Sequence, residues 1–122
     1  MKLVTNLVLG LNRAVLAEGL AFAGFIGVPP SAALEVLKAS PAYSRAMDVK
    51  GAKMVDRDFS EQARLAQHLK DVKLMIDAAT AAGKSLPFSS THQDVLERAI
   101  AMGLGELDNS AIVEAIREAK QS

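Results

Sequence analysis

The sequence predicts an all-α protein in which about six helices form one bundle-like domain. Half of the 122 residues are hydrophobic, but the chain has only one Tyr, four Phe and no Trp. This composition is typical of packed helices, because strands favour β-branched and aromatic residues. Apolar residues recur at helical spacing, and no strand pattern is visible. The length corresponds to a single domain.

The first and longest helix is expected over residues 2–26, which contain no proline and are rich in Leu and Ala. It ends before Gly27, the expected C′ residue, because glycine readily takes the left-handed conformation found at helix ends. Pro29 and Pro30 then prevent the helix from continuing.

The second and third helices are expected over residues 30–39 and 40–55. The second opens with Pro30 and Ser31, and the third begins with Ser40 as N-cap and Pro41 as its first residue.

The fourth helix is expected over about residues 60–82, where apolar residues fall at helical spacing until Gly83. The fifth and sixth begin at residues whose side chains can cap a helix, namely Ser89 or Ser90 for the fifth and Asp108 or Ser110 for the sixth. The fifth ends near residue 102.

The charge composition argues against a nucleic-acid partner, because 14 basic and 14 acidic residues cancel. The absence of Cys excludes disulfides and thiolate nucleophiles. Residues 3–28 are apolar enough to suggest a membrane segment, but four polar residues interrupt them, namely Asn6, Asn12, Arg13 and Glu18. We therefore expect a soluble cytoplasmic protein with no membrane partner.

A stripe of polar and small residues runs along the first helix. At 100° per residue, Lys2, Asn6, Gly10 and Arg13 lie within an arc of about 80°. One interpretation is that the stripe is simply the solvent-exposed face of an amphipathic helix. The other is a substrate site, in which a lysine donates a proton to a carbonyl and an asparagine one turn away adds a hydrogen bond.

Five short segments resemble one enzyme family in order and spacing: residues 1–10, 17–23, 68–74, 86–87 and 105–111. The resemblance is to the helical C-terminal domain of the β-hydroxyacid dehydrogenases, the family of 3-hydroxyisobutyrate dehydrogenase and glyoxylate/succinic semialdehyde reductase. It implies a fold similar to the C-terminal domain of 6-phosphogluconate dehydrogenase, and it covers nearly the whole chain.

The resemblance assigns roles to three residues. Lys2 matches the catalytic lysine that protonates the substrate carbonyl, and Asn6 matches an asparagine that hydrogen-bonds the substrate. Lys70 matches a lysine beside both the substrate and the nicotinamide end of the cofactor; without the resemblance it would be an ordinary solvated helix charge. Where the family commonly has an aromatic residue near the nicotinamide, this chain has Ala63, so that wall is either missing or filled by Phe59.

The resemblance also implies a partner domain. Family members carry an N-terminal Rossmann domain with a Gly-rich dinucleotide turn, and no such turn occurs in this sequence. We therefore expect this half alone to bind neither NAD nor NADP tightly, to be inactive by itself, and to form a homodimer. With the Rossmann domain it is expected to reduce a small aldehyde or keto acid, or to oxidise the hydroxy acid. The alternative is a stand-alone helical oligomerisation or interaction module without activity.

Other residues with chemical potential are interpreted structurally. His68 and His92 lack a partner at metal-ligand spacing, so no metal site is expected. The hydroxyls of residues 89–91 are interpreted as helix caps. Glu18 lies on an apolar helix and is expected to pair with a buried Arg.

Overall fold

The computed structural model describes residues 1–121, and they form an all-α domain of six helices, as predicted. The helices are α1 (Lys2–Phe25), α2 (Pro30–Lys38), α3 (Arg45–Asp56), α4 (Leu65–Ala81), α5 (Pro87–Ala101) and α6 (Ile112–Arg117), and a 3₁₀ turn (Asn109–Ala111) precedes α6. Helix α1 contacts each of the other five and is the central element of the bundle. Within the described part of the chain the only β-type pairing is an isolated bridge between Arg64 and Asp108.

Helix α1 buries one face in the core and leaves the other exposed. Ala17 and Leu20 are fully buried, whereas Val15, Phe22 and Phe25 are more than half exposed. By length and composition α1 could also cross a membrane, a test that the core helix of a soluble protein passes equally well. The helix ends as predicted at Gly27, which has a φ of +85°.

The third helix begins four residues later than expected, at Arg45. The prediction that Ser40 and Pro41 begin it is wrong, because Ser40 instead closes α2. Its hydroxyl donates to the carbonyl of Leu37 at 2.8 Å and accepts from the amide of Ala42 at 3.1 Å.

The fourth helix begins at Leu65 and not near residue 60. The preceding segment pairs with a distant part of the chain: Asp108 donates its amide to the carbonyl of Phe59 at 3.1 Å, and Asn109 donates to that of Ala63 at 2.8 Å. The amide of Leu65 donates to the carbonyl of Leu107 at 2.9 Å. These tertiary hydrogen bonds replace the helical ones.

The fifth helix begins at Pro87, so the predicted caps Ser89 and Ser90 are wrong; they lie within its first turn. A proline fits the first helical position because the amide it lacks has no intrahelical acceptor there. Asp108 is a cap, but of the 3₁₀ turn that precedes α6 and not of α6 itself: its carboxylate accepts from the amide of Ser110 at 3.0 Å, whereas α6 follows Ala111 without a side-chain cap.

Candidate functional site

A polar groove of about 270 Å³ lies between α1 and α4. Asn6 and Arg13 line it from α1, His68 and Asp71 line it from α4, and Asn109 completes one wall. Two residues of the polar stripe predicted on the first helix, Asn6 and Arg13, therefore face α4 across this groove.

Glycine at position 10 lets the two helices approach closely at the middle of the groove. Gly10 is buried, and a Cβ there would lie only 2.6 Å from Cε1 of His68. Arg13 lies on one side of this contact. It is close enough to Asp108 to feel the charge of that carboxylate, and Asn109, the residue after Asp108, lines the groove with it. Asn6, one turn before Gly10, therefore lies at the other end, and the groove runs from Asn6 to Arg13.

The three predicted site residues occupy different environments. Asn6 is half-buried and lines the groove. Lys2 and Lys70 are both exposed and do not line it. Along their helices, however, Lys2 lies one turn before Asn6, and Lys70 is adjacent to the groove residue Asp71. Of the three predicted site residues, only Asn6 therefore lines the groove.

The sequence left two possibilities for the aromatic wall of the site: it is missing, or Phe59 fills it. Ala63 lines the groove, whereas Phe59 packs half-buried against the hydrophobic core. The groove has no aromatic wall from Phe59.

The opposite end of the groove is formed by Arg13, a member of the predicted stripe, and by Asn109, to which the sequence assigned no role. Nε and Nη1 of Arg13 and Oδ1 of Asn109 are buried, and no hydrogen-bond partner lies near them among residues 1–121. The burial of Arg13 could have been predicted from its position on the helix, because it lies three residues after Gly10 and four before Ala17, and both of these are buried. This spacing places Arg13 on the inner face of the helix.

His68 and His92 form a buried pair that their 24-residue separation did not suggest, with ring centroids 5.3 Å apart. Burial lowers the pKa of His68 to about 3, with further lowering by the charges of Arg13 and His92. Burial and Arg13 likewise lower the pKa of His92 to about 4. Both rings are therefore neutral near pH 7. Across the described residues no three His, Asp or Glu side chains are grouped to hold a metal ion.

A buried ion pair between Lys50 and Asp108 supports the wall that carries Ala63 and Asn109. Nζ of Lys50 donates to both carboxylate oxygens of Asp108, at 2.9 and 3.0 Å. The same carboxylate accepts from the amide of Ala63 at 3.1 Å. Burial alone would raise the pKa of Asp108, but hydrogen bonds from Ser110, Lys50 and Ala63 outweigh it and hold the pKa below its usual range.

Glu18 does not have the buried partner that was expected, because its side chain is exposed. It borders a separate apolar cleft of about 410 Å³ that Val15, Phe88 and Ile116 help to line. The prediction failed because this side of α1 faces outward, so the carboxylate is solvated and needs no cation.

Comparison with known proteins agrees with the all-α fold. Residues 1–116 match the family described as NAD-binding of NADP-dependent 3-hydroxyisobutyrate dehydrogenase. The crystal structure of 3-hydroxyisobutyrate dehydrogenase from Salmonella typhimurium superimposes with a TM-score of 0.89 at 27% identity, covering 93% of this chain and 40% of that chain.

Two relatives in sequence are a reductase and a nuclear factor. The 2-hydroxy-3-oxopropionate reductase of Escherichia coli is 32% identical over 115 residues, which are 94% of this chain and 39% of the reductase. The cytokine-like nuclear factor N-PAC of Aedes aegypti is 32% identical over 112 residues, which are 92% of this chain and 20% of that protein. This chain thus spans well under half of each relative.

Proposed function

Because this chain belongs to the β-hydroxyacid dehydrogenase family, we propose that it supplies the helical half of the active site of an NAD(P)-dependent oxidoreductase. The substrate is a small aldehyde or keto acid, or the corresponding hydroxy acid. The observation that carries the proposal is the pairing of family membership with a groove that begins at Asn6, one helical turn from Lys2.

The surface around Lys2 fits an active site shared with a second domain. On the N-terminal half of α1, Val4 and Val8 are more than half exposed, and Leu9 is 41% exposed. Exposed apolar residues beside charged ones are typical of a surface that another domain covers. We propose that a dinucleotide-binding domain docks here and that Lys70 faces the nicotinamide end of NAD or NADP.

The residues of this chain would move one proton and orient the substrate. The nicotinamide supplies a hydride to the carbonyl carbon when it is bound. Nζ of Lys2 donates a proton to the carbonyl oxygen, so that an alcohol forms, and takes the proton back in the oxidative direction. The amide of Asn6 donates a hydrogen bond that orients the substrate at the mouth of the groove. No other residue of the chain is assigned a proton-transfer role.

A chimera tests this proposal directly. The chain replaces the matching C-terminal part of the Escherichia coli reductase, and NAD(P)H oxidation is measured with a panel of small aldehydes and keto acids. We expect turnover by the chimera, and none by either half alone. A folded chimera that binds NADPH but turns over no member of the panel would contradict the proposal.

The proposal includes a homodimer in the cytoplasm. Val15, Phe22 and Phe25 form an exposed apolar surface on the C-terminal half of α1, here called the α1 apolar surface, and all three are about 60% exposed. A second copy would remove these side chains from water, which favours association. The isolated chain is expected to bind no dinucleotide tightly, because the helix N-terminus and Gly-rich turn that hold a pyrophosphate belong to the other domain.

A non-enzymatic interaction module is the second candidate function. The relation to N-PAC favours it, because that protein's name is not that of an oxidoreductase. The α1 apolar surface would serve this role equally well. The chimera separates the two candidates, since a module that has lost its catalytic geometry would give a folded chimera without turnover.

A further inference from the structure

Three polar side chains that line the groove have buried atoms without hydrogen-bond partners among the described residues. They are Nε and Nη1 of Arg13, Oδ1 of Asn109 and Nε2 of His68. Buried polar atoms are nearly always hydrogen-bonded, so each exception needs a partner from outside these residues, either a water molecule or a ligand. The three residues come from α1, α4 and the 3₁₀ turn, and all three line the same groove.

The acids nearest the Arg13 end of the groove are already paired. Asp108, whose charge acts on Arg13, is bound by Lys50 through both carboxylate oxygens. Glu106 pairs with Arg64 at 3.0 Å. None of the ion pairs found in residues 1–121 includes Arg13. Its guanidinium stays charged, because arginine does not lose its proton in proteins, so within these residues the Arg13 end has a cation without a counter-ion.

The remaining carboxylate of the groove lies at the other end. Asp71 follows His68 by one turn of α4, in the direction of Asn6. Asn6 and Arg13 are seven residues apart on α1, which corresponds to about 10 Å along the helix axis. A ligand that spans the groove therefore meets Asn6 and Asp71 at one end and an unpaired guanidinium at the other.

We propose that Arg13 forms an anion-binding subsite that takes a carboxylate remote from the reacting carbonyl of the substrate. This inference rests on the proposed function and narrows its substrate class. The planar guanidinium suits a carboxylate because its N–H groups can donate two parallel hydrogen bonds. Asn109 contributes a side-chain amide, which presents N–H donors once its oxygen and nitrogen exchange places. The ring of His68, packed against Gly10, forms the floor.

Binding to the chain itself is the first test, and it needs no activity. We expect glutarate to shift the NMR signals of Arg13 Nε–H and of the Asn109 side-chain amide saturably, with a dissociation constant on the order of millimolar. Arg13→Met should weaken binding at least about tenfold, and Arg13→Lys should weaken it less. Arg98→Met, which removes an exposed arginine on α5, is the matched control and should leave binding unchanged.

Three results of this titration would overturn the subsite. One is the absence of saturable shifts at Arg13, and another is equal binding by the folded Arg13→Met variant, which would assign glutarate to other residues. The third is that inorganic phosphate binds at Arg13 as tightly as glutarate does. The site would then bind anions in general and would not be specific for a carboxylate.

The chimera provides a second test with a matched pair of substrates, 5-oxopentanoate and pentanal, which differ in the remote carboxylate. Arg13→Met should lower kcat/KM for 5-oxopentanoate at least about tenfold and leave that for pentanal within about twofold. Equal losses for both aldehydes would overturn the subsite while leaving the proposed function intact. Conversely, glutarate binding by the chain together with an inactive chimera would contradict the proposed function alone.

Discussion

Gly10 on α1 packs directly against the imidazole ring of His68 on α4. A Cβ at position 10 would meet Nε2 of His68, and it would also lie 3.4 Å from Cε1 of His92. The missing side chain is thus what allows α1 to approach the histidine pair, and this contact lies between the two ends of the candidate groove.

Gly10→Ala should destabilise the protein, although alanine is normally the better helix residue. The clash with a buried ring costs about 1–3 kcal/mol, which outweighs the roughly 0.5–1 kcal/mol that alanine contributes within a helix. Gly19→Ala is the matched control on the same helix, because no neighbouring side chain lies within 4 Å of the position that its Cβ would occupy. Urea unfolding should show a loss for Gly10→Ala and a gain for Gly19→Ala, and equal gains would contradict the packing.

The buried pair of Lys50 and Asp108 should contribute much more to stability than a surface pair. Asp108→Asn leaves the ammonium of Lys50 buried without a counter-charge, so we expect a loss of about 3–5 kcal/mol in the free energy of unfolding. Lys73 and Glu97 are 3.9 Å apart and about half exposed, and Glu97→Gln should cost less than about 1 kcal/mol. Similar losses for the two variants would show that the buried pair does not hold the groove wall.

Local patterns predicted the helices because local interactions form them. The apolar spacing of residues 2–26 and the glycine at position 27 correspond closely to α1 and its end. The cap at Asp108 was also predictable, because a carboxylate two residues before an amide can satisfy it without any distant partner.

The errors arose where tertiary contacts decide the structure. Phe59 and Ala63 belong to a segment that pairs with residues 108–109, and no local pattern announces that pairing. The groove was predicted only in part. The stripe on α1 identified the residues that line it from α1, but nothing in the sequence indicated that α4 forms the opposite side.

Lys50 shows that some missed signals were present in the sequence. It is spaced with the buried Ala46, Met47 and Met54 along α3, and a lysine in that register indicates a buried cation that needs a carboxylate.

Stability should fall as the pH is lowered from 6.5 towards 4. His68 and His92 have folded-state pKa values of about 3 and about 4, below the usual 6.5. The unfolded chain therefore binds more protons in this window, and each histidine lowers the free energy of unfolding by about 1.4 kcal/mol per pH unit. Above pH 6.5 both are neutral in either state and the effect vanishes.

Urea midpoints at pH 7, 6 and 5 measure this dependence. His92→Phe keeps a ring in the core but removes one titrating group, so it should reduce the slope by about half. A slope unchanged by the substitution would show that His92 is not responsible.

The isolated chain should be a dimer. Light scattering coupled to size exclusion is expected to give about twice the 12.9 kDa chain mass at micromolar concentration. Phe22→Glu should give monomers, because it places a charge in the α1 apolar surface. Val36→Glu is the control, since Val36 is 69% exposed but lies on α2. A wild-type mass of one chain throughout a dilution series would rule out the dimer.

The turnover number of a Lys2→Ala variant of the chimera tests the central claim most directly. A general acid acts mainly in the transition state, so kcat should fall by on the order of 100-fold or more while NADPH affinity changes little. Lys2→Arg should not restore activity, because a guanidinium does not release its proton. Lys84→Ala, which removes an exposed lysine between α4 and α5, should leave kcat unchanged. A Lys2→Ala variant that keeps a near wild-type kcat would contradict the assignment of Lys2 as the proton donor.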